Sequence, residues 1–375
     1  MRTSVKRNVD IIDQNSLLVE VIKLANFPIS MGCTAKSKHS DIFVDQIWAK
    51  SDTHGVYQLA NLVELDLLYA EQHDAGVVGN IWMQHHKKFS EFISSRIKPQ
   101  PILEIGGAHG ILSVETSSSG FIDWTIIEPA PLPVEHCKAT FIKGFFEENY
   151  EKGHQNVIVH SHVLEHIYDP LKFLQLCYKK IDDDGEMLFS IPNIFEMVKR
   201  KYSNSINFEH TIFLSENILY FLLSKTGFEI QKKEYFHDDH SIFYHCKKVL
   251  PKMDVTLTLE DEYDNIFREF WKDFKIDATA LNKLVKEVKD PVYLFGAHIF
   301  SQILLTSGLK EKYVNGILDN SSTKQGNRLY GTHLQVCSPI ILKQHKYPKV
   351  VLRAGKYNDE IRQQLLGINP NTTIF

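Results

Sequence analysis

The run Pro101-Ile-Leu-Glu-Ile-Gly-Gly-Ala-His-Gly110 constrains the fold of this chain more than any other segment. An apolar stretch ends in an acid and a glycine-rich turn, and Ile111 and Leu112 then restart an apolar pattern. This is how a buried strand turns tightly into a helix. Gly106 and Gly110 allow backbone conformations closed to other residues, and Gly106 and Gly107 leave room for a ligand to approach. A second apolar run, Trp124-Thr-Ile-Ile-Glu128, also ends in an acid. An acid about 20 residues past such a turn is placed to accept hydrogen bonds from both hydroxyls of a ribose. Together the two runs point to a cofactor that contains a nucleoside.

The glycine spacing discriminates among such cofactors. A dinucleotide site needs G-x-G-x-x-G, so that helix N–H groups can hold a pyrophosphate. Here the glycines are Gly106, Gly107 and Gly110, and Ile111 stands where the last glycine would be. Glu104 precedes the turn where a pyrophosphate would approach, and its charge would repel one. A carboxylate suits an ammonium group instead. The pattern therefore favours S-adenosylmethionine, with Glu104 near its methionine portion. A glycine turn that binds nothing is the plainer alternative, and Glu128 at the right spacing argues against it.

The chain has 375 residues and is 43% hydrophobic, enough for two or three domains of ~100–200 residues each. Net charge is −4 and the lysines are scattered, so no nucleic-acid footprint is visible. The five cysteines form no C-x-x-C pair, which suits a reducing compartment. The N-terminal residues carry charges throughout, and no apolar run reaches the ~20 residues that span a membrane. A cytoplasmic enzyme without membrane insertion is expected.

Three regions are expected. In 1–80, Phe27–Met31 and Asp41–Trp48 have the composition of strands. From Gly79 to Ile97 apolar residues recur at helical spacing and lead into the glycine turn. Region 81–250 alternates strands (101–105, 123–127, 140–143, 156–160, 186–191, 242–246) with helices (notably 169–180 and 215–226). Such alternation predicts an α/β fold, a parallel sheet covered on both faces. After a break near Pro251, residues 259–287 predict a long helix or helical hairpin. The segments Val292–Ala297, Val314–Asn320 and Val350–Arg353 then predict a second, smaller α/β unit within 251–375.

Three segments could carry chemistry. Val157–His166 is a buried strand running into a polar cluster, and side chains from His160 to His166, His162 among them, would face the cofactor. His162 and His166 are four apart and would share a helical face. Zinc would need a third ligand that nothing signals, so no metal is expected. The loop Ile206–Thr211 carries Glu209 and His210, a pairing suited to acid–base work near neutral pH; two ordinary surface residues are the plainer reading. Of Phe145 and Phe146, one could stack on an adenine or make a core contact.

Taken together, these motifs resemble the three-part S-adenosylmethionine-dependent sugar C-methyltransferases. The likeness covers most of the chain: Leu103-Glu-Ile-Gly-Gly107, Glu128-Pro129, Gly144-Phe-Phe146, Val163-Leu-Glu-His166 and Glu209-His210, then Phe295-Gly-Ala297, Leu318-Asp-Asn320, Lys324-Gln-Gly326, Gly331-Thr332 and Ser338-Pro339. The resemblance implies a small N-terminal zinc module, a class I methyltransferase domain with a Rossmann-like sheet, and a C-terminal Rossmann-like domain. It departs in two places. Only Cys33 lies in the N-terminal part, so no structural zinc is expected there, and that part would be held by packing alone. The family loop usually reads Tyr-His-Glu-His, whereas here it reads Asn207-Phe208-Glu209-His210; tyrosines of the family's substrate wall are matched by His73 and Ala75. The resemblance implies His210 as general base, supported by Glu209 and with His166 as second choice. It also implies Glu128 on the ribose, Phe145 on the adenine and, as acceptor, an activated, nucleotide-linked sugar or a related cell-surface glycan precursor, with a non-sugar small molecule as the alternative. Methylation at carbon, oxygen or nitrogen stays open. So do a nicotinamide-dependent oxidoreductase and a catalytically silent binding partner.

Overall fold

The computed structural model describes residues 3–69, 80–150, 153–259 and 261–375. His73 and Ala75 lie outside the described residues. In the N-terminal part, β1 (Val19–Pro28) and β2 (Phe43–Lys50) pair antiparallel, and the short strand Gln58–Leu59 extends them. Helix α1 (Asn80–Ser94) buries His85, Phe89, Phe92 and Ile93, the stripe expected of an amphipathic helix.

The central strands are β3 (Ile102–Ile105), β4 (Trp124–Glu128), β5 (Thr140–Lys143), β6 (Gln155–Ser161), β7 (Ile181–Pro192), β8 (Phe228–Phe236) and β9 (Ser241–Lys248). They form one sheet in the order β5-β4-β3-β6-β7-β9-β8. Helices α2 (Ile111–Ser117), α3 (Pro170–Lys180) and α4 (Glu216–Thr226) connect them. The sheet is mixed rather than wholly parallel, because β9 runs antiparallel to both β7 and β8. The few residues between β8 and β9 allow only a hairpin, since a parallel connection needs a crossover of a dozen or more. Strand β8 itself was not expected. It is an edge strand with a mostly exposed middle, Glu-Ile-Gln-Lys-Lys-Glu-Tyr, and so lacks a buried period-two signal.

From β3 the chain builds outward through β4 and β5, then returns to place β6 on the other side of β3. The reversal opens a crevice at the carboxyl ends of β3 and β6, where such sheets bind ligands. The glycine turn follows β3, and the His160–His166 segment begins in the last residues of β6 and runs out of its end.

Residues 261–286 form a single helix, α5, and not a hairpin. Its buried face carries Tyr263, Phe267, Phe270, Trp271, Phe274 and Leu281 at helical spacing. Phe267 stacks on Tyr57 with ring centroids 4.0 Å apart. Beyond it, β10 (Val292–Phe295), β11 (Gly316–Leu318), β12 (Val336–Cys337), β13 (Lys349–Leu352) and β14 (Thr373–Ile374) form a parallel sheet ordered β12-β11-β10-β13-β14. Helix α6 (Ile299–Thr306) follows β10.

The N-terminal part is held by more than packing. Arg328 reaches Asp41 with two N–H groups, at 2.7 and 2.6 Å. Gly331 N donates to the same carboxylate at 2.8 Å, and Cys33–Thr34 pairs with Arg328–Leu329 as antiparallel strands. Asp41 and Arg328 are 287 positions apart in the chain, so local pattern could not reveal them. Among the described residues, no helix is long and apolar enough to cross a membrane.

Candidate active site

The glycine turn is a left-handed bend. Gly106, Ala108 and Gly110 have φ of +72°, +30° and +69°. A Cβ on Gly106 would lie 2.6 Å from Val163 Cγ2, so the turn packs directly on the segment after β6. A Cβ on Gly107 would lie 2.6 Å from Glu104 Cδ. Glu104 thus sits beneath the turn, 3% exposed, and its Oε2 accepts from Trp124 Nε1 at 2.7 Å. Burial pushes its carboxyl up to about 7, with the nearby Glu128 adding to the rise. The expectation of a fixed charge open to an ammonium needs correcting: this carboxyl is sequestered beneath the turn, where burial favours its neutral form.

Glu128 ends β4 and turns back toward the loop. Its Oε2 accepts Ala108 N–H at 3.2 Å and its Oε1 accepts Ala130 N–H at 3.0 Å. An ionised carboxylate has about four acceptor positions, so each oxygen keeps one for a further donor. The donor set therefore suits a ribose diol. Phe145 is half-buried just before the short helix Phe146–Asn149, whereas Phe146 is committed to the core against Tyr150 and Phe173.

At the end of β6 and beyond it, the structure separates residues the sequence treats alike. His160 does not face the crevice. It is fully buried, stacked on Phe189 at 4.8 Å, with neither ring nitrogen hydrogen-bonded, and burial pushes its pKa down to about 3. His162, at φ +54°, lies by Trp82 of α1, and its Nε2 meets Ser241 Oγ at 2.9 Å. Glu165 is fully buried between His162 and His166. Its Oε1 is 3.3 Å from His162 Nδ1 and 3.8 Å from His166 Nε2. Burial alone would raise its pKa; His162, His166 and His210 outweigh that and hold it near 2. His162 and His166 do converge, though on the carboxylate of Glu165 and not through helical spacing.

The loop 206–211 is brought to this place by Thr211. Its N–H donates to Glu165 O at 2.9 Å and its Oγ1 to Ile167 O at 2.7 Å. His210 therefore stands beside His166, ring centroids 5.4 Å apart. Its Nδ1 donates to Ser205 O at 2.7 Å, which leaves the lone pair on Nε2. Burial, with His166 beside it, lowers its pKa to about 4. Glu209 Oε2 lies 3.9 Å from His166 Nδ1. Asn207 is buried, and its Oδ1 accepts the N–H groups of Glu209 and His210 at 2.7 and 2.8 Å. It shapes the loop. A tyrosine hydroxyl reaches the site from elsewhere: Tyr69 Oη is 3.3 Å from His166 Nδ1. Sequence reasoning overlooked Tyr69 and Glu165. A lone acid inside the apolar run Val163-Leu-Glu was the available signal for the second; nothing local marks the first.

Residues 81–233 match the family model described as a methyltransferase domain, and residues 250–375 match that of the C-methyltransferase C-terminal domain. This chain is a methyltransferase. Its sheet is that of the class I fold. Solved structures of similar fold include an S-adenosylmethionine-dependent methyltransferase from Mesorhizobium loti (10% identity, TM-score 0.35, covering 42% of this chain and 98% of that one). An N-methyltransferase from Bradyrhizobium japonicum has 12% identity and TM-score 0.35, with 45% and 97% covered. The magnesium protoporphyrin IX methyltransferase from Synechocystis has 11% identity and TM-score 0.34, with 46% and 86% covered. No curated relative matches the sequence.

Proposed function

We propose that this methyltransferase acts on an activated, nucleotide-linked sugar, with His210 as general base. The observation that carries the base is the tautomer: the Ser205 carbonyl holds the proton on Nδ1, so Nε2 has a lone pair to offer. The sugar reading is supported by the likeness of residues 250–375 to a C-methyltransferase C-terminal domain behind a methyltransferase domain.

S-adenosylmethionine supplies a methyl group on a sulfonium, already activated for displacement. The residues of this chain position it and make the nucleophile. Glu128 takes the ribose hydroxyls. Phe145 covers the adenine, Gly106, Gly107 and Gly110 let the backbone approach, and Glu104 stiffens the turn from below. His162 closes the crevice beside Trp82. On the acceptor side, His210 Nε2 removes a proton, and Glu209 and His166 hold the local charge. The site is served in the cytoplasm by soluble substrate.

The test is incubation with candidate nucleotide-sugars in D2O without donor. Deuterium entering beside a ketone, and its loss in His210→Asn, supports carbon methylation with His210 as base. Methyl transfer without such exchange points to an oxygen or nitrogen acceptor. No transfer to any nucleotide-sugar overturns the sugar reading.

A further inference from the structure

We infer that Arg7, from the N-terminal part of the chain, is a positioning residue for the reaction: its guanidinium holds the two histidine-bearing segments against each other. Nη1 donates to Thr211 O at 3.1 Å, and Nη2 donates to Tyr168 O. Thr211 directly follows His210, and Tyr168 lies two residues past His166. One side chain thus spans the exits of both segments.

Arg7 is 9% exposed, and both of these acceptors are neutral. Taking a charge out of water to meet carbonyls is costly. Burial lowers its pKa to about 10 against the opposing pull of Tyr168, Asp169 and Asp10, so it stays charged at neutral pH. What the guanidinium adds is geometry. Its planar fork fixes the separation of two acceptors, which a flexible lysine ammonium does not.

The pair it frames is joined from two sides. On one side, Thr211 N–H and Oγ1 reach Glu165 O and Ile167 O. On the other, the N-terminal part grips the same stretch: Leu59 N–H donates to Thr211 O at 2.9 Å and Phe213 N–H to Tyr57 O at 2.8 Å, while Tyr168 Oη donates to Val63 O. The backbone of Arg7 is itself fixed, its N–H donating to Ala60 O at 2.9 Å beside the pairing of Ser4–Lys6 with Asn61–Val63. Of these contacts from the N-terminal part, that of Arg7 joins both segments through one rigid group. The rings of His166 and His210, 5.4 Å apart, keep their relation only while the two exits keep theirs. A misplacement of about 1 Å can cost ~10²-fold in rate. The inference rests on the reading of His210 as base.

The test uses the full chain with isotope-labelled histidine, observed by NMR. Arg7→Lys keeps the charge and loses the fork. In it the His210 titration should move up from about 4 toward the ordinary ~6.5, as water reaches the ring. On the nucleotide-sugar that exchanges deuterium in wild type, kcat should fall at least ~10-fold. KM and S-adenosylmethionine affinity should stay within about threefold. Asp41→Ala, which loosens the N-terminal part and touches neither segment, should keep the wild-type histidine signals and kcat below its melting temperature. Arg7→Lys with titration and kcat unchanged overturns the proposal. So does an equal loss in Asp41→Ala, since Arg7 would then only stabilise the fold. A moved titration with unchanged turnover removes His210 as base and not the hold of Arg7 on its loop. If no nucleotide-sugar exchanges deuterium, the sugar reading falls and the titration decides on Arg7. Should Arg7→Lys fail to fold, Arg7→Gln, neutral and able to donate to one carbonyl, is judged by the same outcomes.

Discussion

Glu128 accepts the N–H of Ala108 at 3.2 Å, so the acid at the end of one strand holds the glycine turn at the end of its neighbour. One side chain thereby shapes the loop and presents oxygens to a ribose. A hydrogen bond to a charged group contributes about 1.5–3 kcal/mol. Glu128→Ala should weaken S-adenosylmethionine binding at least ~10-fold by calorimetry, and S-adenosylhomocysteine binding in parallel, since both carry the ribose. Unchanged affinity would remove Glu128 from the cofactor site.

His210 has its pKa lowered to about 4 by burial. A base works when unprotonated, so its activity is present above that value and lost below it. The acid limb of kcat should therefore fall near pH 4 to 5, and not near the ordinary histidine value of ~6.5. His210→Asn should lower kcat by ~10²-fold or more while leaving cofactor affinity within about threefold. A loss smaller than about threefold would exclude it as the base.

Glu104 is raised from 4.5 to about 7 by burial. The folded state then holds its proton more tightly than the unfolded state. The stability this contributes is full below pH 4.5 and is lost as pH rises through about 7. Glu104→Gln can keep the Trp124 bond without that loss. Relative to wild type, it should gain on the order of 2 kcal/mol between pH 5 and pH 8 in urea unfolding. His160 and His210, whose pKa values are lowered, act the opposite way, but equally in both proteins, so the difference isolates Glu104.

Asp41 and Arg328 form a buried bidentate pair between the N-terminal part and the second α/β unit. Removing one partner of such a pair costs about 3–5 kcal/mol. Asp41→Ala should lower the melting temperature and expose β1 and β2 to proteolysis. An unaltered melting curve would show that packing alone suffices.

The sequence was most informative where chemistry is local. The strand before Gly106, the strand ending at Glu128 and the helix over Pro170–Lys180 each carry their own periodicity and end signals, and each formed within two residues of expectation. Strand β8 was invisible because an edge strand need not bury its middle. His160 was misplaced because a strand's alternation does not say which polar residue turns inward, and here Phe173 and Phe189 enclose it. The meeting of His166 with His210 depends on Thr211 bonding to Glu165 and Ile167, a contact between loops that no local pattern encodes.

The stacking of Phe267 on Tyr57 has a consequence for synthesis. Translation delivers residue 57 long before residue 267, so the inner faces of β1 and β2 emerge from the ribosome well ahead of the helix that covers them. Until α5 arrives, Trp48 and Tyr57 have no lid. Contacts this distant in sequence close slowly, and exposed strands meanwhile invite association. A nascent chain that stalls before α5 is therefore a natural client for chaperones, and the yield of this protein should depend on how quickly the ribosome reaches its second half.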